Sequence, residues 1–492
     1  MEVEVSGNGR REQTVEVRIK KKTNLTNNDN KGINTRNYPF YEKEGTDDFK
    51  IVSNNGGKIP NFKYDITYIR ISMRMKIEGS ISFRGIAMTH HIFESALRME
   101  VSSLHHSTVI QWVKRIGYYE LQKPKERGNW LIVIDESVMV GQSRLLNIYG
   151  LLVEDIPVDR ALILQDMESL YVSSRTSWTG DDIGVVIKKL QVDLGNIAYS
   201  VSDGGNNLIK ACVTTQTTHI YDITHYIALQ YQYILKDIGD FQTLSSMMGK
   251  MRRKGILSKI AHLLPPNQRV KSRFLNINLL ITWSLKALWH IDNQTKSELS
   301  ELEINELKWV EQYRNLITEL IELEQIKSIT FSILKNEHFS EKSLLQLSLA
   351  LGSMEQTVGT KGQSLIHGIR TYYKNHRDYL DKYPRLLCCS DIIESGFGKL
   401  KQVISANKMC GFTDIALCLA AFCNDLSDNE IRNAMRFCTF NKVREFSKEH
   451  FLQSMFVKRK EFSHTKFDEK SSEIINLYHA KNGANFYDAN AA

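Results

Sequence analysis

The spacing of apolar and polar positions changes character several times along the chain. Residues 1–62 carry few periodic apolar positions, and stretches such as "NLTNNDNKGINTRN" and "SNNGGKIPN" predict a poorly ordered polar arm. From 63 to 122, "SFRGIAMTHHIFESALRMEV" and "SSLHHSTVIQWVKRIGYYEL" predict two helices joined by a turn rich in Ser and His. In the second, Val109, Trp112, Val113 and Ile116 form an i, i+3, i+4, i+7 stripe, with Thr108, Gln111, Lys114 and Arg115 opposite. The break "KPKERGN" follows, after which the period shortens. "WLIVID", "RLLNIYGLLVE" and "RALILQDMESLYVSSRT" read as three strands, and "DDIGVVIKKLQVDLG" reads as an amphipathic helix. "NIAYSVSD", "GGNNLIKACVTTQ" and "THIYDITHYI" then predict strand, helix, strand, completing an α/β segment over 130–227. Residues 228–386 are patterned almost wholly as helices. Two further helices are expected over 387–425, and a mixed helical and polar tail over 426–492.

Length changes this picture first: 492 residues exceed what one compact core accommodates, so two or three domains are expected. Lys and Arg outnumber Asp and Glu by 64 to 56, a net charge of +8 that suits a polyanionic partner without requiring one. Seven cysteines, an odd number with no Cys-x-x-Cys pair, suit buried free thiols rather than a zinc ribbon. No apolar window approaches the roughly 18 residues of a membrane span. A cytoplasmic, nucleoid-associated protein is the expectation.

Three carboxylates stand out. Asp135 ends the apolar run Trp130–Ile134, where a turn-forming or capping Asp is the bland alternative. Asp203 ends the strand-like Ile197–Val201 ahead of "GGNN", where a capping Asp before a glycine turn would look the same. No phosphate-binding glycine motif accompanies it. Glu394 lies in "IIESGFGKLK" with two glycines that each cost about 1 kcal/mol of helix stability, a cost easier to understand where something approaches closely. Two residues rival them. Glu136 should point to the opposite strand face from Asp135, and Asp391 stands one turn before Glu394. Asp222 and His225 of "DITH" form a further acid-x-x-His pair. Lys250, Arg252, Arg253, Lys254, Arg269, Lys271 and Arg273 flank "LLPPNQ" as either a solvated face or a phosphate-backbone contact. Trp283 and Trp289 read as core residues rather than base-stacking platforms.

With "IVIDES", "VSDGGNN" and "ESGFGKLK" in this order, behind "SFRGIAM" and "STVIQWVKRIG", the chain resembles a DDE-type insertion-sequence transposase over residues 65–425, about three quarters of its length. The resemblance implies a ribonuclease H-like mixed-sheet core interrupted by an all-α insertion, preceded by an N-terminal helix-turn-helix. It implies Asp135, Asp203 and Glu394 as a triad holding two Mg²⁺ (or Mn²⁺) ions, hard cations that select carboxylate oxygens. It implies double-stranded DNA as partner, both terminal inverted repeats and target, bound by a homodimer or higher oligomer. Thr108, Gln111, Lys114, Arg115 and Lys401 are then the expected DNA contacts, and Asp391, Asp222 and His225 the secondary site candidates. In relatives with a Tyr-Arg-Glu-Lys signature, Lys401 fits the lysine, but Leu387 and Ser390 stand where tyrosine and arginine are expected. Two alternatives stay open: a metal-dependent nuclease without strand transfer, and a domesticated DNA-binding protein of transposase origin.

Overall fold

The computed structural model describes residues 62–96, 104–138, 143–158, 160–267, 276–405 and 411–464, with isolated positions at 59, 274, 473, 476 and 477. The expected polar arm lies almost wholly outside the described residues, as do Arg269, Lys271 and Arg273.

Among the described residues there are five strands, β1 (Gly128–Val138), β2 (Arg144–Leu152), β3 (Glu168–Arg175), β4 (Gly195–Ser202) and β5 (Thr218–Tyr221), in the sheet order β3-β2-β1-β4-β5. β2 runs antiparallel to both β1 and β3, whereas β4 is parallel to β1 and β5 to β4. The parallel steps need crossover helices, supplied by α4 (Gly180–Leu194) and α5 (Asn206–Thr215). The expected order of three strands, helix, strand, helix, strand is the one observed.

Both faces of the sheet are covered, which is why β1 reads as a continuous apolar run. Trp130, Ile132 and Ile134 pack with Ile183 and Ile187 of α4 and Leu208 of α5. Leu131 and Val133 face the larger core on the other side. That core takes in helices from both ends of the chain: α1 (Ile66–Ile77), α2 (Phe83–Ala96) and α3 (His106–Gln122), together with α13 to α16, whose ranges follow.

After β5 the chain enters the helical block: α6 (Ile223–Leu235), α7 (Gly239–Gly255), α8 (Ile277–Asp292), α9 (Glu301–Leu307), α10 (Arg314–Glu337), α11 (Glu341–Glu355) and α12 (Thr360–His376). It returns to the sheet with α13 (Asp391–Ile404), then α14 (Cys418–Ala421), α15 (Asp428–Phe437), α16 (Phe440–His450) and α17 (Met455–Ser463). The six cysteines described, Cys410 excepted, are buried and free, as expected. Among the described residues no helix is long and apolar enough to cross a membrane. Trp283 packs as expected, stacked on Trp309 at 5.9 Å, whereas Trp289 is half-exposed.

A helix pair, α2 and α3, stands where the helix-turn-helix is expected, with residues 97–103 of its connection outside the described set. Its polar face is partly engaged by the rest of the chain. Lys114 pairs with Asp414 at 2.6 Å and is largely covered. Arg115 donates to the Met435 carbonyl of α15, and its guanidinium lies over the Phe62 ring at 4.8 Å. Thr108 and Gln111 are half-buried. Lys114 and Arg115, expected to reach DNA, are thus engaged by the C-terminal part of the chain.

Candidate metal centre

The strand period determines where the first two carboxylates point. Leu131 and Val133 face the larger core, so Asp135, two residues further, falls on that same side. On β4, Tyr199 and Val201 face that core, and Asp203 continues their parity. The parallel register ends at Val133↔Val201. Asp135, inside β1, and Asp203, just past β4, thus each lie two residues beyond the last parallel pair, on the carboxyl side where open α/β sheets place their ligand crevices. Glu136 belongs to the other face, with Arg144 3.5 Å from its carboxylate.

Asp203 sits on a turn that only glycine permits. Gly204 has φ +75°, and a Cβ there would lie 2.2 Å from the Tyr221 ring. The turn lets the Gly205 amide donate to Asp203 Oδ1 at 2.9 Å, while the Glu136 amide donates to Asp135 Oδ1 at 2.7 Å. Each aspartate keeps its second oxygen without a hydrogen bond among the described residues.

Helix α13 brings the third carboxylate. Ile393, Phe397, Leu400 and Ile404 bury one stripe of it against the core, and the helix packs against β1. Glu394 remains half-exposed on its first turn. The two glycines behave differently. A Cβ on Gly396 would stand 2.8 Å from the Tyr149 hydroxyl of β2, whereas one on Gly398 would meet nothing within 4 Å. Gly396 is the close approach that the sequence anticipated, and its neighbour is a strand of the chain itself.

The three carboxylates share one field. Burial and then the Asp203 charge push the Asp135 carboxyl up to about 7, with Glu394 adding to the rise and the Glu136 amide and His225 opposing it. Burial also raises Glu394, against the pull of His225. The imidazole of His225 stands between: its Nε2 is 3.7 Å from Glu394 Oε1 and its Nδ1 is 3.7 Å from Asp222 Oδ1. Burial disfavours its charge, but the Asp222 carboxylate beside it, with Glu394 and Asp203 behind, carries it up to about 9. His225 is a cation held among acids.

Asp222 itself is fully buried and its hydrogen-bonding capacity is taken up. As N-cap of α6 it accepts from the Thr224 amide at 2.5 Å and the His225 amide at 3.1 Å. Its other oxygen accepts from the Ser390 amide at 2.6 Å and from the Ser390 hydroxyl. Burial works against this charge, yet His225 and Ser390 hold the carboxyl below the ordinary range. Ser390, which stands where the Tyr-Arg-Glu-Lys signature has arginine, is thus the fastener between α6 and the helix of Glu394. Lys335 of α10, which no motif singled out, pairs with Asp391.

Among the described residues one group of potential ligand atoms lies within 4.8 Å of one another: Asp222, Cys389 and Asp391. It does not fit a metal. Both Asp222 oxygens are engaged, Lys335 occupies Asp391, and burial pushes the Cys389 thiol well up, away from the thiolate a metal needs. Asp135, Asp203 and Glu394 are spread more widely than this, but they offer carboxylate oxygens of the kind Mg²⁺ and Mn²⁺ prefer, Glu394 with His225 beside it.

No protein-family model and no curated protein matches the sequence. Among solved structures the chain is similar to the Drosophila P element transposase strand transfer complex, at 11% identity over 80% of this chain and 95% of that one, with a TM-score of 0.37. A likeness so distant assigns no role to any residue here.

Lys401 lies two turns beyond Glu394 on α13, exposed, with its Nζ 5.9 Å from the Phe397 ring centre. It is not part of the carboxylate cluster.

Proposed function

We propose that this protein is a DDE-type transposase, cleaving DNA phosphodiesters with divalent metal and joining the freed 3′-hydroxyl to a target. What supports this reading is that Asp135 and Asp203 each lie two residues beyond the last parallel pair of β1 and β4, while α13, which carries Glu394, packs against β1 after the helical block. The sheet order, with three antiparallel strands followed by two parallel crossovers, agrees with the ribonuclease H-like core that the sequence resembles.

Three carboxylates in one field are stable together only if protonated or neutralised by cations. Asp135 and Asp203 would each offer their free oxygen, and Glu394 its half-exposed carboxylate, to Mg²⁺ or Mn²⁺. Metal held by these carboxylates would supply activation of the attacking oxygen and stabilisation of the leaving one. The chain's own part is positional. The Gly204 turn fixes Asp203, and the Asp222–Ser390 fastener fixes the start of α13 and hence Glu394. His225, charged near neutral pH, balances the acids while no metal neutralises them.

The test uses DNA from either side of the coding region as substrate, with Mg²⁺ or Mn²⁺ and a labelled target duplex. Cleaved ends together with joined product are expected, and Asp203→Ala should lose both while still binding DNA. Cleavage without joining would leave a metal-dependent nuclease and overturn the transposase reading. Retained cleavage in Asp203→Ala would remove Asp203 from the site.

A further inference from the structure

The turn that follows α7, far from the carboxylates in sequence, presents a side chain that the fold does not use. Leu257 is 97% exposed and its neighbour Ile256 57% exposed. A leucine held so far out of the core is unusual when the backbone beneath it is firmly braced, and here it is. Ser258 caps the helix end, its amide and hydroxyl donating to the Gly255 carbonyl at 3.0 and 2.9 Å. The Ser258 hydroxyl also accepts from the Ile260 amide at 3.3 Å. Arg252 donates to the Pro265 carbonyl at 2.8 Å, so this one cation of the basic run is a structural strap. Gly255 allows the return: a Cβ there would stand 2.5 Å from Leu264.

Around Leu257 the charge is of one sign. Residues 250–259, "KMRRKGILSK", carry five cations and no acid. Lys250, Arg253, Lys254 and Lys259 are exposed and have no carboxylate partner among the described residues. Cations alone read as a solvated face. An apolar tip between them adds something that solvation does not explain, because an apolar side chain that enters between base steps needs flanking cations to hold the phosphates on either side.

We propose that this turn is a DNA-wedging element: Leu257 inserts between base pairs and locally unstacks the duplex, while Arg253, Lys254 and Lys259 grip the flanking phosphates. The partner class, duplex DNA, rests on the function proposed above, but the contact is separate from the chemistry. An anionic membrane, which also takes an apolar tip ringed by cations, is the competing occupant.

The experiment uses the full chain, without Mg²⁺ or Mn²⁺, and a duplex carrying 2-aminopurine beside a TpA step, the kind of step that unstacks most readily. Binding of the unaltered protein is expected to raise the fluorescence. Leu257→Ala is expected to bind within about threefold of the unaltered protein but to lose the rise, since the phosphate contacts remain. Arg253→Gln and Lys254→Gln should each lower the slope of log affinity against log salt by about 1. An undiminished rise with Leu257→Ala, no rise with the unaltered protein, or unchanged salt slopes would overturn the proposal. So would sedimentation with phosphatidylglycerol vesicles without duplex binding. Cleavage is read in a separate assay with metal. Unstacking without cleavage would sink the transposase reading alone, and cleavage with Leu257-independent fluorescence would sink this proposal alone.

Discussion

At the scale of single residues, the account turns on charges that the fold places too close for comfort. Asp135, pushed up to about 7 by burial and by Asp203, binds a proton in the folded state that an unfolded Asp releases near 4. The sign follows directly. The folded protein holds more protons than the unfolded one between those values, so Asp135 stabilises the metal-free fold in acid and withdraws that support as the pH rises through about 7. Asp135→Asn should therefore be more stable than the unaltered protein in chelator at neutral pH, by up to roughly 4 kcal/mol, with the gap shrinking towards pH 4. Thermal melts of the pair across that range check it, and a pH-independent difference would contradict the burial and repulsion described. His225 offers a second reading at this scale. Asp222→Asn removes the charge beside it, so the His225 imidazole, at about 9, should titrate closer to the ordinary histidine value in an NMR pH series.

At the scale of elements, strands were more legible than helix surroundings. The run Trp130–Ile134 announces a strand buried on both faces, and parity alone puts Asp135 and Asp203 on one side of the sheet. What α13 touches could not be read, because the Tyr149 hydroxyl that needs Gly396 lies about 250 residues earlier in the chain. The paired glycines make this testable. Gly396→Ala should destabilise by about 1–3 kcal/mol through overpacking, and Gly398→Ala, with open space around it, should stabilise by up to about 1 kcal/mol through helix propensity. Denaturant midpoints of the two variants check the contrast. Equal effects would mean that Gly396 is not pressed against Tyr149. Ser390 teaches the same lesson. Its position was visible as an anomaly, but its partner Asp222 lies across a helical block, so its job was not.

At the scale of the whole molecule, the sequence suggested a DNA-reading helix pair set apart from the catalytic sheet, and the packing joins the two. α3 lies in the same core as the sheet and the C-terminal helices, with Lys114 bound to Asp414, 300 residues further on, and Arg115 to the Met435 carbonyl. No local pattern distinguishes a cation bound for a phosphate from one bound for a distant aspartate. Lys114 is largely covered and Asp414 partly so, so a double-mutant cycle with Ala at both positions should show positive coupling, at or above the roughly 0.2–1 kcal/mol of exposed pairs. Zero coupling would return Lys114 to the surface. The helical block from α6 to α12, legible from its periodicity, separates β5 from α13 in sequence while the Asp222–Ser390 fastener brings their ends together in space.

The central claim is that Glu394, and not Asp391 beside it, completes a metal site with Asp135 and Asp203. Nicking of a supercoiled plasmid bearing the flanking DNA, in Mg²⁺ or Mn²⁺, tests it in one gel. The account predicts nicking by the unaltered protein and by Asp391→Asn, whose carboxylate is spent on Lys335, and none by Glu394→Gln. Nicking by Glu394→Gln with its loss in Asp391→Asn would contradict it.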